Sequence, residues 1–275
     1  MMANLGTVLE VVTATDPGMV RSHNEDSIAA DAEIGLAVLA DGMGGYNAGE
    51  VASGIAVAML TTEMKQALKE HEPYEVEGSG EPLAVKLVKE NSAKANAAIY
   101  QSAKSQPQYA GMGTTLVVAL FYDNRMTVGH IGDSRLYRLR EDKLEQITRD
   151  HSLLQDQIDG GMITKEQARY SQNKNLVTRA VGIDPEVETE VHTYDVEPGD
   201  IYLLCSDGLS DMVADDDIQG TLSTLQSNLP LAAKQLVQAA NDNGGRDNIS
   251  MILVRVLEEF GTPTGWFAKL KAWFR

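Results

Sequence analysis

The chain has one cysteine, Cys205, in 275 residues. A single thiol excludes an internal disulfide framework and any zinc site built on several cysteines. It also fails as a phosphatase nucleophile of the cysteine type, which needs an arginine shortly downstream; position 211 is Asp. Cys205 reads instead as a small core residue. Basic side chains are scarce as well. There are 23 Lys and Arg against 40 Asp and Glu, a formal charge of -17. Such a surface repels nucleic acid, so neither DNA nor RNA is expected as a partner. It repels phosphorylated substrates equally, so any phosphate chemistry needs local cations from arginine or metal. The first ten residues lack a basic start and a long apolar run. No signal peptide or membrane span is expected, which points to the cytoplasm. The five His, at 23, 71, 130, 151 and 192, show no metal-ligand spacing, and His130 reads as structural. The run Gly42-Met43-Gly44-Gly45 is not a phosphate loop, because no Gly-Lys-Ser/Thr follows it.

What is present is a globular composition, 43% hydrophobic and 23% charged, with no repeat and no low-complexity tract. Val- and Thr-rich or apolar runs predict strands over 7–15, 34–40, 114–122, 125–131, 135–140, 144–148, 186–194, 200–206 and 249–257. The pairs Asp123-Asn124, Gly132-Asp133 and Glu141-Asp142 separate several of them as turns. Helices are predicted over 50–64, with Val51, Ile55, Met59 and Thr62 on one stripe, and over 83–103, with Leu83, Leu87, Asn91, Ala95 and Ile99 on another. A third lies near 230–241, with Pro230 in its first turn. Residues 71–82 read as a loop and 151–178 as a small helical insertion. Asp215-Asp216-Asp217 reads as a solvated helix start rather than a cation cluster. Strands and helices are segregated, which favours an α+β fold with antiparallel sheets. The expected organisation is one catalytic domain over 1–258 and a short tail over 259–275.

Four acidic motifs carry the chemistry: Arg21-Ser22-His23-Asn24-Glu25-Asp26, Asp41-Gly42-Met43-Gly44-Gly45, Ser206-Asp207-Gly208 and Gly245-Arg246-Asp247-Asn248. Asp41 and Asp207 each follow an apolar run and precede a glycine. Asp133 sits in a tight turn, and Asp247 precedes the final strand. Hard divalent cations such as Mg²⁺ and Mn²⁺ select carboxylate and carbonyl oxygen. Asp-Gly is a common turn pair, and each motif alone says little. Together they say more, because buried strand ends do not end repeatedly in acids unless something pairs the charges. Arg21 suggests that the metal works on an anion.

The order of motifs resembles the metal-dependent protein phosphatase (PPM) family, the type 2C serine/threonine phosphatases, and most closely its compact bacterial members. Residues 21–27, 40–45, Gly113-Thr114-Thr115, Gly132-Asp133-Ser134-Arg135, Asp150-His151-Ser152, 178–182, 205–209 and 245–250 fall in that family's order. The resemblance implies two antiparallel β-sheets sandwiched between helix layers (αββα), with a flap at about 151–178. It implies that Asp41 bridges two Mn²⁺ or Mg²⁺ ions, that Asp207 and Asp247 complete one, and that the Gly42 carbonyl with Glu25 holds the other. Asp133 with Asp207 would bind a third, weaker ion. Arg21 would fork onto the substrate phosphate, Asp26 would orient metal-bound water, and Asn248 would support Asp247. The implied reaction is hydrolysis of phosphoserine and phosphothreonine by a metal-bridging hydroxide, without a phosphoenzyme. Met43 departs from relatives that carry a general-acid His after the Asp-Gly pair, so the proton donor is left open.

The implied partners are phosphorylated proteins, a Ser/Thr kinase and its substrates, and the chain is expected to be a monomer. Two rivals stand beside this reading: a sensor or binding module with a degenerate site, and another binuclear metal hydrolase such as a nuclease. In the tail, Trp266, Phe267, Leu270, Trp273 and Phe274 share one helical stripe beside Lys269, Lys271 and Arg275. Over 262–275 this suggests docking on a membrane surface or a partner, against the alternative that it packs on its own domain.

Overall fold

The computed structural model describes residues 4–45, 47–77, 80–164, 167–168, 171 and 176–262. Strands buried on both faces organise them. In β3 (Leu36–Met43), Ala37 and Leu39 pack to one side while Leu36, Val38 and Ala40 pack to the other. A strand of that kind lies between two layers. Five strands form one antiparallel sheet, in the order β1 (Leu9–Asp16), β13 (Ile249–Val256), β12 (Ile201–Cys205), β9 (Arg135–Arg140) and β10 (Lys143–Gln146). The second sheet runs β11 (Glu190–Asp195), β8 (Arg125–Ile131), β7 (Leu116–Tyr122), β3 and β2 (Asp26–Asp31), and β6 (Gly113–Thr114) pairs with the end of β3. The sheets meet across Leu39, Val117, Ala119, Tyr202, Leu204 and Ile252. Phe121 and Tyr202 pack edge to face there, with ring centroids 5.2 Å apart.

Helices cover both outer faces. α1 (Ala48–Glu70) and α2 (Leu83–Ser105) pack on the second sheet. α5 (Asp215–Thr224) and α6 (Leu229–Asp242) pack on the first. Two shorter helices, α3 (Leu153–Asp159) and α4 (Asp207–Ser210), lie between strands. The expected αββα sandwich is the architecture observed.

Local chemistry explains most boundaries. Asp123, Asn124, Glu141 and Asp142 all have positive φ, as two-residue hairpin turns require. Ser152 caps α3 through its hydroxyl, Asn228 caps α6, and Pro230 lies in the first turn of α6. Asp215, Asp216 and Asp217 form the first turn of α5, where a helix favours acids.

Several expectations are corrected. On α1 the buried stripe is Ala52, Ala56, Leu60 and Met64; Thr62 is exposed, and Val51, Ile55 and Met59 are only partly covered. Alanine lets the helix approach the sheet, so the closest face is not the one with the bulkiest residues. The α2 stripe is buried as expected. The 71–82 segment holds a small hairpin, β4 (Val76–Glu77) and β5 (Glu81–Pro82). β11 begins at Glu190 rather than 186, and β3 continues through Asp41. β2 was not anticipated. Parts of the 151–178 insertion and all of 263–275, with the aromatic stripe, lie outside the described residues. Among the described residues no helix is long and apolar enough to cross a membrane.

Candidate metal centre

Strand register gathers the acids at one end of the sandwich. In the second sheet Asp26, the first residue of β2, lies directly opposite Asp41 near the end of β3. Directly paired antiparallel residues share a face. Asp41 has the parity of Ala37 and Leu39, so both carboxylates face the other sheet. There, β12 ends at Cys205 beside Met251 of β13 and Arg135 of β9. Asp207, Asp247 and Asp133 therefore leave their strands at the same end.

Close backbone packing fixes this end. A Cβ on Gly42 would strike the Gly49 carbonyl in the first turn of α1, and a Cβ on Gly208 would strike the Asn248 carbonyl. Asn248 acts as a tether. Its Oδ1 accepts from Glu25 N at 2.8 Å, and its Nδ2 donates to the carbonyls of Pro17 and His23, each at 3.0 Å. Its own backbone N–H donates to Asp247 Oδ1 at 2.9 Å. Ser206 Oγ donates to Asp26 Oδ2 at 2.9 Å.

The acids at this end are buried and repel one another. Burial, followed by repulsion from Asp26, Asp207, Asp133 and Asp247, raises the Asp41 carboxyl well above its usual range. Asp207 is raised in the same way by burial, then by Asp133, Asp211 and Asp247. Burial pushes Asp26 up to about 6, and the polar groups of Ser250, Ser206 and Asp41 oppose the rise. Burial and then Asp150 push Asp133 up to about 6. Glu25 is raised chiefly by burial. Asp26 Oδ1 is buried with no hydrogen-bond partner. An all-oxygen donor set that resists carrying its own charge fits hard divalent ions, which would remove the repulsion. Asp211, which the sequence reading passed over as a ligand, belongs to this acidic group. The only signal for it was its position one helical turn after Asp207.

The centre is nonetheless open. Among the described residues no three of these acids bring ligand atoms within 4.8 Å of one another; the trio that does is His130, His151 and Glu190. Arg21 does not reach into empty space. Its Nη2 donates to Asp247 Oδ2 at 2.6 Å and draws that acid to its side. Arg21 is about half exposed, so the pair is worth only ~0–1 kcal/mol and yields easily to a stronger anion.

The histidine trio is not arranged for a metal. The two rings stack at 4.6 Å with 16° between planes, so their in-plane lone pairs run parallel and do not converge. His130 Nε2 donates to the Arg149 carbonyl (2.8 Å), and His151 Nδ1 accepts from Gly132 N (3.2 Å). His151 Nε2 therefore carries the proton shared with Glu190 Oε2 at 3.2 Å. Burial lowers both imidazoles below their ordinary pKa, which keeps them neutral. They brace the Gly132-Asp133 turn, as does the Arg135–Asp150 pair at 2.7 Å. Cys205 is fully buried, and burial pushes its thiol up to about 12, so it is no nucleophile.

Comparison with known proteins bears on this geometry. A family profile described as Protein phosphatase 2C matches residues 20–253. The serine/threonine protein phosphatase PstP of Mycobacterium tuberculosis is 41% identical over 258 residues, which cover 94% of this chain and 47% of PstP. This chain thus spans about half the length of that relative. The serine/threonine phosphatase stp of Listeria monocytogenes is 35% identical over 243 residues, 87% of this chain and 93% of stp. A crystal structure of the PstP catalytic domain in complex with two manganese ions superposes with a TM-score of 0.80 at 37% identity, covering 91% of this chain and 99% of that one.

Proposed function

The chain belongs to the protein phosphatase 2C family, and from that premise we propose that it is a metal-dependent serine/threonine protein phosphatase acting on phosphorylated proteins. The observation that carries this is the set of buried carboxylates, Asp41, Asp207, Asp26 and Asp133, all held above the usual carboxylate range at one end of the sandwich.

In this reading Asp41, Asp207 and Asp247 hold two Mn²⁺ or Mg²⁺ ions with Glu25 and the Gly42 carbonyl. Asp133 and Asp207, beside Asp211, offer a weaker third position. When bound, the ions lower the pKa of water from ~15.7 towards about 7 and neutralise charge on the phosphoryl oxygens. The side chains supply the rest. Asp26, fixed by the Ser206 hydroxyl, accepts a hydrogen bond from the attacking water and aims it. Asn248 locks the 17–25 loop to β13 and keeps Glu25 and Asp247 in register. Arg21 exchanges its weak contact with Asp247 for two parallel hydrogen bonds to the phosphate. Met43 donates no proton, so metal-bound water or another group protonates the leaving oxygen.

We assign 1–258 to the catalytic domain, with a flap at about 151–178. The aromatic and basic stretch 262–275 is proposed to dock on a membrane surface or a partner; for the membrane, deleting it is expected to abolish co-sedimentation with anionic vesicles. The function itself is tested with a phosphothreonine peptide. Mn²⁺-dependent release of phosphate is expected in the wild type and is lost on chelation or in Asp41→Asn. Activity that survives either treatment overturns the reading.

A further inference from the structure

One glycine of α1 has no packing reason to be glycine. A Cβ at Gly49 would press on Gly42 and Glu25 at 2.8–2.9 Å. At Gly54 it would meet only the Ser27 hydroxyl, at 4.0 Å. A glycine inside a helix costs about 0.5–1 kcal/mol relative to alanine. What it does here is leave space. Gly54 and Ala58, one turn apart, floor a groove of about 550 Å³ between α1, β2 and Thr15 of β1. Four consecutive β2 residues, 26–29, line it. Side chains on one face of a strand cannot do that, so the groove follows the strand's edge.

That edge is open. β2 is the terminal strand of its sheet, and among the described residues no strand pairs with its outer side. An uncovered edge presents backbone donors and acceptors that an added strand satisfies. Two residues lining the groove, Asp26 and Thr61, each carry a buried oxygen without a hydrogen-bond partner. Asp26 also belongs to the acidic centre, so the groove begins beside that centre. The six residues of β2 give it a length of about 20 Å. Its lining is uncharged apart from Asp26, and the Lys65–Asp31 pair, at 2.8 Å, sits at the far end.

We propose that this groove binds, as an added β-strand along β2, the extended uncharged segment that flanks the phosphorylated residue of a protein substrate. This rests on the phosphatase reading above and assigns that activity its peptide subsite. Backbone pairing supplies affinity, and the space over Gly54 and Ala58 accepts small or apolar side chains. One end of the strand lies at Asp26, which delivers the phosphorylated residue to Asp41.

The test compares kcat/KM, with saturating Mn²⁺, on three substrates: p-nitrophenyl phosphate, a phosphothreonine peptide with uncharged flanks, and versions trimmed on either side. Trimming one flank is expected to lower kcat/KM about tenfold. Gly54→Leu fills the groove with a better helix former. It is expected to bring the full peptide down to the trimmed value and to leave p-nitrophenyl phosphate unchanged. Ala58→Trp, at an exposed position, is expected to repeat the result, so a folding defect in one variant does not decide the matter. The proposal is overturned if trimming neither flank lowers peptide turnover, or if the variants slow both substrates alike. A wild type that hydrolyses p-nitrophenyl phosphate and no phosphopeptide overturns the protein-phosphatase reading, and the groove assignment with it.

Discussion

Asp26 and Asp133 titrate near 3.8 in an unfolded chain and near 6 when folded without metal. A raised carboxylate contributes stability that is fully present below 3.8 and is lost as pH rises through about 6. Asp41 and Asp207 are raised as well and act in the same direction. The chelated protein at pH 7.5 therefore carries several carboxylates that oppose folding. Asp207→Asn is expected to raise its melting temperature by a few degrees there while abolishing phosphatase activity, and the gain is expected to shrink as pH falls, because burial and the neighbouring acids raise the Asp207 carboxyl. Differential scanning calorimetry in chelator checks this. An Asn variant that melts lower at pH 7.5 would show that Asp207 is paired without a cation. The comparison at fixed pH separates these acids from His130 and His151, whose lowered pKa values act in the opposite direction. Arg21 calls for a different readout. Its contact with Asp247 is weak and exposed, so Arg21→Ala is expected to leave the melting temperature within about a degree, since such pairs contribute only ~0–1 kcal/mol. Phosphopeptide kcat/KM is expected to fall about a hundredfold through loss of a bidentate charged contact. A large melting shift with little kinetic loss would make Arg21 a structural residue. The acids and Arg21 were legible in the sequence because each sits in a short contiguous motif. Asp211, the His130–His151 stack and the role of Gly54 were not, because their meaning depends on neighbours brought in from distant strands.

α1 joins two tasks in one helix, and its two glycines divide them. At Gly49 the helix touches the end of β3, and an added methyl would press on Gly42 and on the Glu25 carboxyl, both at 2.8–2.9 Å. Overpacking of this kind costs about 1–3 kcal/mol. Gly49→Ala is therefore expected to lower the melting temperature and to raise the Mn²⁺ concentration needed for half-maximal activity, since it displaces two oxygen donors proposed for one ion. Gly54→Ala meets open space and is expected to stabilise by about 0.5–1 kcal/mol. Opposite signs from one substitution type on one helix are read by melting curves with Mn²⁺ titration; equal signs would remove the distinction. The same helix shows where periodicity reaches its limit. It runs over Ala48–Glu70, six residues past the predicted end at 64, and its buried stripe begins with Ala52 and Ala56. Hydrophobicity ranks side chains by size, whereas a close helix–sheet contact selects small ones. α2 buries Leu83, Leu87 and Ile99 on its stripe, so that stripe was legible. Strands β8 and β9 were read to the residue because a two-residue turn bounds each of them. β2 escaped because its Ala- and Asp-containing sequence lacks β-branched density, and pairing with β3 overrides that local weakness.

The molecule as a whole carries a formal charge of -17, yet its proposed substrate is an anion. Two ranges of electrostatics resolve this. Near the centre, Arg21 and bound divalent ions attract phosphate over a few ångströms. Further out, the acidic surface sets the field that an approaching protein meets, and that field favours basic partners. The groove along β2 carries no charge apart from Asp26 at its end, so charge selection belongs to residues beyond it, along a strand of about 20 Å against a Debye length of about 10 Å at 0.1 M. Phosphopeptides with lysines placed outside the groove segment are therefore expected to lose kcat/KM several-fold as ionic strength rises from about 0.01 to 0.3 M. The same peptides with glutamates there are expected to gain, and kcat is expected to stay constant for both, because steering acts on association. Parallel changes in the two series would locate the salt effect at the metal centre itself. Divergent changes would mean that this chain selects a phosphoprotein in two stages, first by the charge around the phosphorylated segment and then by the uncharged strand that pairs with β2.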